Sequence, residues 1–180
     1  MQILVPKHYV KTEDLEGPLF FLAGPIRGGD DWQKTCAELI AKKLPECSIA
    51  IPYYHSKELH FPLLDIAAQG DVTFFERQLN WERHYIEEAA KHGCLIFWLP
   101  NESKVNPRTD GAYATDTRGE IGRWSIELKY NPTYRIVVGA EPEFPSLDVL
   151  HRNFNFDQGK DVVFYKTLEE LVDAAIEKVR

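Results

Sequence analysis

Short apolar runs alternate with longer amphipathic stretches along this chain of 180 residues. The apolar runs predict buried strands, and the stretches with apolar residues at helical spacing predict the helices between them. The predicted strands are Pro18–Leu22, Ser48–Pro52, Cys94–Leu99, Arg135–Val138 and Val162–Tyr165. The predicted helices run from Asp30 or Asp31 to about Leu44, and over Glu76–His92, Arg118–Tyr130, Leu147–Asn153 and Leu168–Val179. This alternation predicts an α/β fold with a five-stranded, mainly parallel sheet covered on both faces.

The most apolar run, Cys94–Leu99, is predicted to be a central strand that is buried on both faces. The length favours a single domain over residues 1–180, in which residues 1–17 form an N-terminal extension. In parallel sheets, ligands bind at the loops that follow the carboxyl ends of the strands. The long irregular segments His55–Thr73 and Asn101–Thr117 are therefore the expected binding loops.

The composition is that of an ordinary globular protein and narrows the function classes. A formal net charge of −7 argues against general nucleic-acid binding, which needs a Lys/Arg surface for the phosphates. No run approaches the ~18–20 apolar residues that a membrane span needs. The N-terminal stretch lacks the basic, apolar and small-residue regions of a secretory signal, so we expect a cytoplasmic protein.

The cysteines and histidines show no metal-ligand spacing. Cys36, Cys47 and Cys94 are far apart and odd in number, which predicts buried apolar thiols in a reducing compartment. The six histidines form no paired motif. The sequence therefore predicts neither a structural metal nor a disulfide.

The first candidate for chemistry is the turn Ala23–Gly29, with the sequence AGPIRGG, after the first predicted strand. Its glycines would let the backbone approach a ligand, and the N-terminus of the following helix favours anions. Arg27 is suited to contact a phosphate or a sugar oxygen. The motif matches neither the dinucleotide nor the ATP loop, and a tight structural turn would use the same residues.

The second candidate is Glu120, on a helix predicted to begin just before it. In the first turn, the helix dipole stabilises the carboxylate and lowers its pKa, which suits a nucleophile. Gly119 and Gly122 are expected to leave open space over this carboxylate. The alternative is helix capping, with Asp116 or Thr117 as the cap and Glu120 in a capping box.

The third candidate is Glu82, with Trp81 beside it, in the stretch FERQLNWE. On a charged helix the default interpretation of Glu82 is a solvated face. Trp81 would pack in the core or form the floor of a pocket for an aromatic base. Trp98, at the end of the predicted central strand, has the position among the tryptophans that most favours a ligand.

Together these stretches resemble the nucleoside 2-deoxyribosyltransferase-like family. The matching pieces are FFLAGPIRGGDDWQ (Phe20–Gln33), FERQLNWE (Phe75–Glu82), CLIFWLP (Cys94–Pro100), TRGEIGRW (Thr117–Trp124) and IVVG (Ile136–Gly139). They follow one another in family order. The IRGG turn also resembles the related deoxynucleoside 5′-monophosphate N-glycosidases, which hydrolyse rather than transfer.

The resemblance implies a flavodoxin-like sandwich and a two-step displacement without metal or cofactor. Glu120 would attack the anomeric carbon, and a second base or water would then release the sugar, as in retaining glycosidases. Glu82 matches the acidic residue near the base, where many members have Asp. Asp116 is the match for the aspartate that grips sugar hydroxyls, with Asp110 as the alternative.

The resemblance also implies the rest of the site and its setting. The residues expected to bind substrate are Gly24, Pro25, Ile26, Arg27, Gly28, Trp81, Trp98 and Gly119. Family members often complete the pocket from a neighbouring subunit, which implies a homo-oligomer that acts on a small nucleoside or nucleotide. Two alternatives stay open: hydrolysis of deoxynucleoside 5′-monophosphates, and a non-catalytic nucleotide-binding module.

Overall fold

The computed structural model describes residues 1–6, 9–52 and 74–180, without the side chains of residues 74–77. Its strands are β1 Gln2–Leu4, β2 Leu19–Ala23, β3 Ser48–Ala50, β4 Gly93–Leu99, β5 Ile136–Ala140 and β6 Phe164–Tyr165. Its helices are α1 Trp32–Lys43, α2 Phe74–His92, α3 Thr115–Tyr130, α4 Leu147–Gln158 and α5 Leu168–Glu177, besides a 3-10 turn at Thr12–Asp14. The predicted loop His55–Thr73 lies outside the described residues.

All six strands form one sheet in the order β1-β3-β2-β4-β5-β6, and each strand pairs with its neighbours in parallel. Without β1, this is the flavodoxin-like strand order. Its topological switch point lies between the neighbouring strands β2 and β4. The predicted α/β class is confirmed. The predicted number of five strands is wrong, because Gln2–Leu4 in the N-terminal stretch pairs with β3 as an additional edge strand.

Alternate residues of β4 point to opposite faces of the sheet, and each face is covered by helices. Leu95, Phe97 and Leu99 join the core cluster that contains the buried residues of α2, α3 and α4. Cys94, Ile96 and Trp98 join the cluster that contains those of α1 and α5. The helices α2 and α3, which carry the candidate carboxylates, therefore cover the same face of the sheet.

The other predictions differ from the structure mainly at element ends. Helix α3 begins at Thr115 rather than Arg118, and α4 extends to Gln158 rather than Asn153. Helix α4 ends where Gly159 adopts a positive φ of 62°, a common helix stop. Strand β6 is only two residues long. These shifts leave the order of the elements unchanged.

The predicted buried thiols are confirmed. Cys36, Cys47 and Cys94 are all free and buried. Burial is the main cause that raises the pKa of each thiol, so all three stay protonated at neutral pH.

Candidate active site

Two loops meet at the carboxyl edge of the sheet, where β2 and β4 lie side by side. The first follows β2 and contains the AGPIRGG turn, and the second joins β4 to α3. The Ser103 backbone N–H donates a hydrogen bond of 2.7 Å to the Gly28 carbonyl oxygen. The Arg27 guanidinium also reaches the second loop, where it forms an ion pair with Asp110. The turn is thus held by the chain's own neighbouring loop.

The glycines of the turn are surrounded by protein. A Cβ on Gly24 would collide with the Trp98 carbonyl oxygen and with the Trp32 ring. Gly28 has a φ of 79°, and a Cβ there would lie 2.9 Å from the Arg108 backbone nitrogen. Close packing therefore explains why glycine occupies both positions, without a ligand. This favours the alternative that the segment is a tight structural turn. Pro25 is buried, and its carbonyl accepts a hydrogen bond of 3.1 Å from Trp32 Nε1.

Arg27 and Asp110 belong to a small cluster of opposite charges. The side chain of Arg27 is 67% exposed, whereas that of Arg108 is 14% exposed and donates to Asp110 over 2.8 Å. The Arg108 hydrogen bond is the main cause that lowers the Asp110 pKa, and the charge of Arg27 adds to it. Two guanidinium groups thus share the Asp110 carboxylate, and the Glu102 carboxylate close by accepts a hydrogen bond of 2.9 Å from the Arg108 backbone N–H. Asp110 is therefore engaged with arginines in this structure.

The two tryptophans predicted to bind substrate lie in the core. Trp81 is fully buried, and its ring centroid lies 4.9 Å from that of Tyr85. Trp98 is 4% exposed and lies on the opposite face of the sheet, where its ring fills the space above Gly139. The structure thus favours the core alternative for Trp81, and Trp98 differs from the ligand-facing position expected for it.

Three carboxylates on α2 and α3 lie close enough for their charges to act on one another. Glu82 is on α2, and Asp116 and Glu120 are on α3. Burial raises the pKa of Glu120 to about 7, with further contributions from the charges of Glu82 and Asp116, while Arg123 opposes them. The sequence named all three residues, and the structure brings them into one electrostatic cluster. At neutral pH, Glu120 exists in both its protonated and its ionised form.

Glu82 is partly buried rather than on a solvated face. Burial is the largest cause that raises its pKa, and the charge of Asp116 acts in the same direction. Gln78, one helical turn earlier, donates a hydrogen bond of 3.0 Å from Nε2 to Oε1 of Glu82 and opposes this increase. The sequence interpretation missed Gln78, although the spacing of i and i+4 on a predicted helix indicates such a contact.

Two expectations about Glu120 are wrong. Because α3 begins at Thr115, Glu120 lies in the second turn rather than the first, and its pKa is raised rather than lowered. The capping box is also absent. The N-cap residue is Ala114, which has a φ of 58°, and no side chain caps the helix. Burial and neighbouring carboxylates outweigh the helix dipole, whose effect fades beyond the first turn.

Gly119 and Gly122 both face open space, since no described atom outside the adjacent residues and their own helix backbone lies within 4 Å of a Cβ built on either residue. Successive residues of an α-helix are rotated by about 100°. Gly122 is therefore rotated by about 200° from Glu120 and lies on the far side of the helix. Only Gly119, about 100° away, borders the side of the helix that carries the carboxylate.

Within the described part of the chain, no group of three or more His, Cys, Asp or Glu side chains is arranged to hold a metal ion. No described helix combines the length and apolar character required to cross a membrane. No protein-family model matches the chain, and no curated protein matches it significantly.

Proposed function

We propose that this protein cleaves the N-glycosidic bond of 2′-deoxynucleosides and transfers the sugar to another base, with Glu120 as the nucleophile. The carrying observation is the carboxylate cluster between α2 and α3, in which the Glu120 pKa is about 7. Structural ion pairs keep carboxylates ionised, whereas this cluster collects like charges in a partly buried place. Such an arrangement is typical of catalytic sites.

The chemistry needs two carboxyl groups in different protonation states. The ionised Glu120 would attack the anomeric carbon and form an ester as the bond from carbon to base nitrogen breaks. The departing base keeps the electron pair and takes a proton, for which Glu82 is the candidate donor because burial raises its pKa. The pKa of Glu120 is raised further, so the reacting form is the one in which Glu120 is ionised and the proton of the coupled pair lies on Glu82. Asp116 is exposed beside them and is the candidate for holding sugar hydroxyls.

The decisive experiment is incubation of the wild type and Glu120→Gln with a deoxynucleoside and a second free base. We expect base exchange by the wild type and a loss on the order of 10³-fold or more in Glu120→Gln. Glu127→Gln, on the same helix, is the matched control and should retain activity. Base exchange by Glu120→Gln at the wild-type rate would refute the assignment. Deoxynucleoside recovered unchanged from the wild type would instead indicate a binding module.

Hydrolysis of deoxynucleoside 5′-monophosphates is the second candidate, and the charge cluster at the AGPIRGG turn favours it. Arg27 and Arg108 share Asp110, and the Arg27 side chain is 67% exposed, so its guanidinium is accessible to a phosphate. If Arg27 binds phosphate, Arg27→Ala raises the KM for the monophosphate and leaves that for the nucleoside unchanged. Base release from the monophosphate without a second base supports hydrolysis, and base exchange supports transfer.

Two further proposals depend on the family resemblance alone. We propose that the protein is a homo-oligomer and that it acts in the cytoplasm on small nucleosides or nucleotides. Light scattering coupled to size-exclusion chromatography tests the first proposal. A monomer that exchanges bases at the full rate would show that the site needs no neighbouring subunit.

A further inference from the structure

Gln78 is an uncharged residue that forms a hydrogen bond with the carboxylate cluster. It lies one turn before Glu82 on α2, and both side chains are partly buried. Its amide Nε2 donates to Glu82 Oε1 over 3.0 Å, which is a good distance for a hydrogen bond to a carboxyl oxygen. Oε1 accepts from the amide whether Glu82 is ionised or carries its proton on Oε2, so the contact is compatible with both forms.

This contact makes the two oxygens of Glu82 different. Oε1 is occupied by the Gln78 amide, whereas Oε2 accepts no hydrogen bond from the described residues. The remaining neighbours of Glu82 in the cluster are the carboxylates of Asp116 and Glu120 on α3. Those groups favour the protonated form of Glu82, and when Glu82 holds a proton, Oε2 is the oxygen that the Gln78 amide leaves free to take it.

We propose that Gln78 is a positioning residue that holds Oε1 of Glu82, so that Oε2 is the oxygen that carries the proton and delivers it to the leaving base. This inference rests on the proposed function for its last step. In that step the proton leaves Oε2 as the glycosidic bond breaks, the base nitrogen keeps the bonding electrons and takes the proton, and Glu82 becomes a carboxylate. Glu120 forms the new bond to the sugar.

Within the described chain, both α2 and α3 contribute charged groups around the pair formed by Gln78 and Glu82. Asp116 and Glu120 face it from α3, and Arg123 acts on Glu120 from the next turn of that helix. On α2 itself, Arg83 and His84 are exposed, and the His84 ring lies 4.8 Å from that of Tyr85. Gln78 is thus the described neighbour whose hydrogen bond opposes the increase in the Glu82 pKa.

Two substitutions of opposite effect test this assignment. Gln78→Met keeps the length of the side chain but removes the donor, and Gln78→Lys replaces the amide by a cationic donor. Asn80→Met, at an exposed position of the same helix, is the matched control. Carboxyl ¹³C shifts are followed by NMR against pH in the free protein, and Glu82→Gln and Glu120→Gln identify the two signals.

We expect Gln78→Met to raise the Glu82 pKa and to lower that of Glu120, because a proton held on Glu82 removes a neighbouring negative charge. Gln78→Lys should lower the Glu82 pKa, and Asn80→Met should change neither. If Gln78 only supported the helix, Gln78→Met and Gln78→Lys would not shift the Glu82 pKa in opposite directions. Shifts in the same direction for both variants, or shifts no larger than those of Asn80→Met, would overturn the proposal.

The NMR titration needs no substrate, so it separates this inference from the proposed function. Opposite shifts without any base exchange by the wild type would establish the contact and reject the reaction. Base exchange by the wild type, together with a Glu82 pKa that neither Gln78 variant changes, would support the reaction and reject the role of Gln78. Where exchange is observed, Gln78→Met should lower kcat and leave KM unchanged, because the proton donor is misplaced only in the chemical step.

Discussion

The AGPIRGG turn and the carboxylate cluster are both candidate sites, but their physical characters are opposite. At the turn, Arg27 and Arg108 meet Asp110, whose pKa is lowered. Between α2 and α3, like charges meet, and the Glu120 pKa is raised to about 7. A Cβ on Gly28 would collide with the facing loop, whereas one on Gly119 would meet nothing.

The difference shows which region the fold alone explains. Opposite charges and filled glycine positions stabilise the contact between two loops, so the turn has a structural reason for its sequence. Burial and neighbouring like charges oppose the ionised forms of Glu82 and Glu120, which reduces stability at neutral pH. The comparison therefore favours the α2–α3 cluster over the turn as the candidate site of the proposed reaction.

The largest effect on stability is expected at the cluster. Because the pKa of Glu120 rises from 4.5 to about 7 on folding, the folded state binds the proton more tightly. The stability associated with this proton is present below pH 4.5 and is lost as the pH rises through 7. Glu120→Gln should therefore raise the free energy of unfolding at pH 8 by on the order of 3 kcal/mol and change it little at pH 4.5.

Urea unfolding of the wild type and Glu120→Gln at both pH values measures this difference. Glu127→Gln, on the same helix, is the control and should show no comparable dependence on pH. A stabilisation by Glu120→Gln that is the same at both pH values, or absent at both, would show that Glu120 is not the buried titrating group. The electrostatic contrast between the cluster and the turn would then disappear.

The next largest effect is expected at the turn. Gly28→Ala places a Cβ at a φ of 79° and 2.9 Å from the Arg108 backbone nitrogen. We expect a loss of about 2 kcal/mol, from backbone strain and from displacement of the facing loop. Gly159→Ala has a similar φ of 62° but meets open space, so it isolates the strain. Equal losses of stability in Gly28→Ala and Gly159→Ala would show that the contact between Gly28 and the loop at Arg108 contributes nothing to stability.

Much of this fold could be predicted from the sequence, and its short edge strands could not. The run Cys94–Leu99 is apolar throughout, and β4 is found there with one more residue. Strand β1 has three residues and pairs along only one edge, with β3, so its own pattern is too short to indicate a strand. The start of α3 was missed because Ala114 adopts a positive φ that the sequence does not indicate.

The candidate site could be predicted in its residues but not in its electrostatics. Glu82 and Glu120 were named from separate motifs on separate helices. Their raised pKa values depend on burial and on neighbouring carboxylates, which act only once α2 and α3 lie on the same face of the sheet. The close fit of the turn was equally beyond the sequence, because the atoms that fill the space at Gly28 come from a loop far along the chain.

A smaller change in stability is expected on α3, and it is a gain rather than the loss expected for Gly28→Ala. Gly119→Ala and Gly122→Ala add a methyl group where no atom lies within 4 Å. Alanine is the better helix former, so each variant should raise the free energy of unfolding by about 0.5–1 kcal/mol. Chemical denaturation measures both. A loss of stability in either variant would show that this space is occupied in the protein in solution.

The smallest effect is expected from Asp110→Asn, which removes the carboxylate shared by Arg27 and Arg108. The side chains of Asp110 and Arg27 are 47% and 67% exposed, and exposed ion pairs contribute little to stability because water and salt screen them. We therefore expect a change in Tm below that of any glycine variant, and one that vanishes at high salt. A loss as large as that of Gly28→Ala, independent of salt, would mean that charge rather than backbone fit holds the two loops together. The turn would then retain no surplus guanidinium for a phosphate, because both arginines would be committed to Asp110.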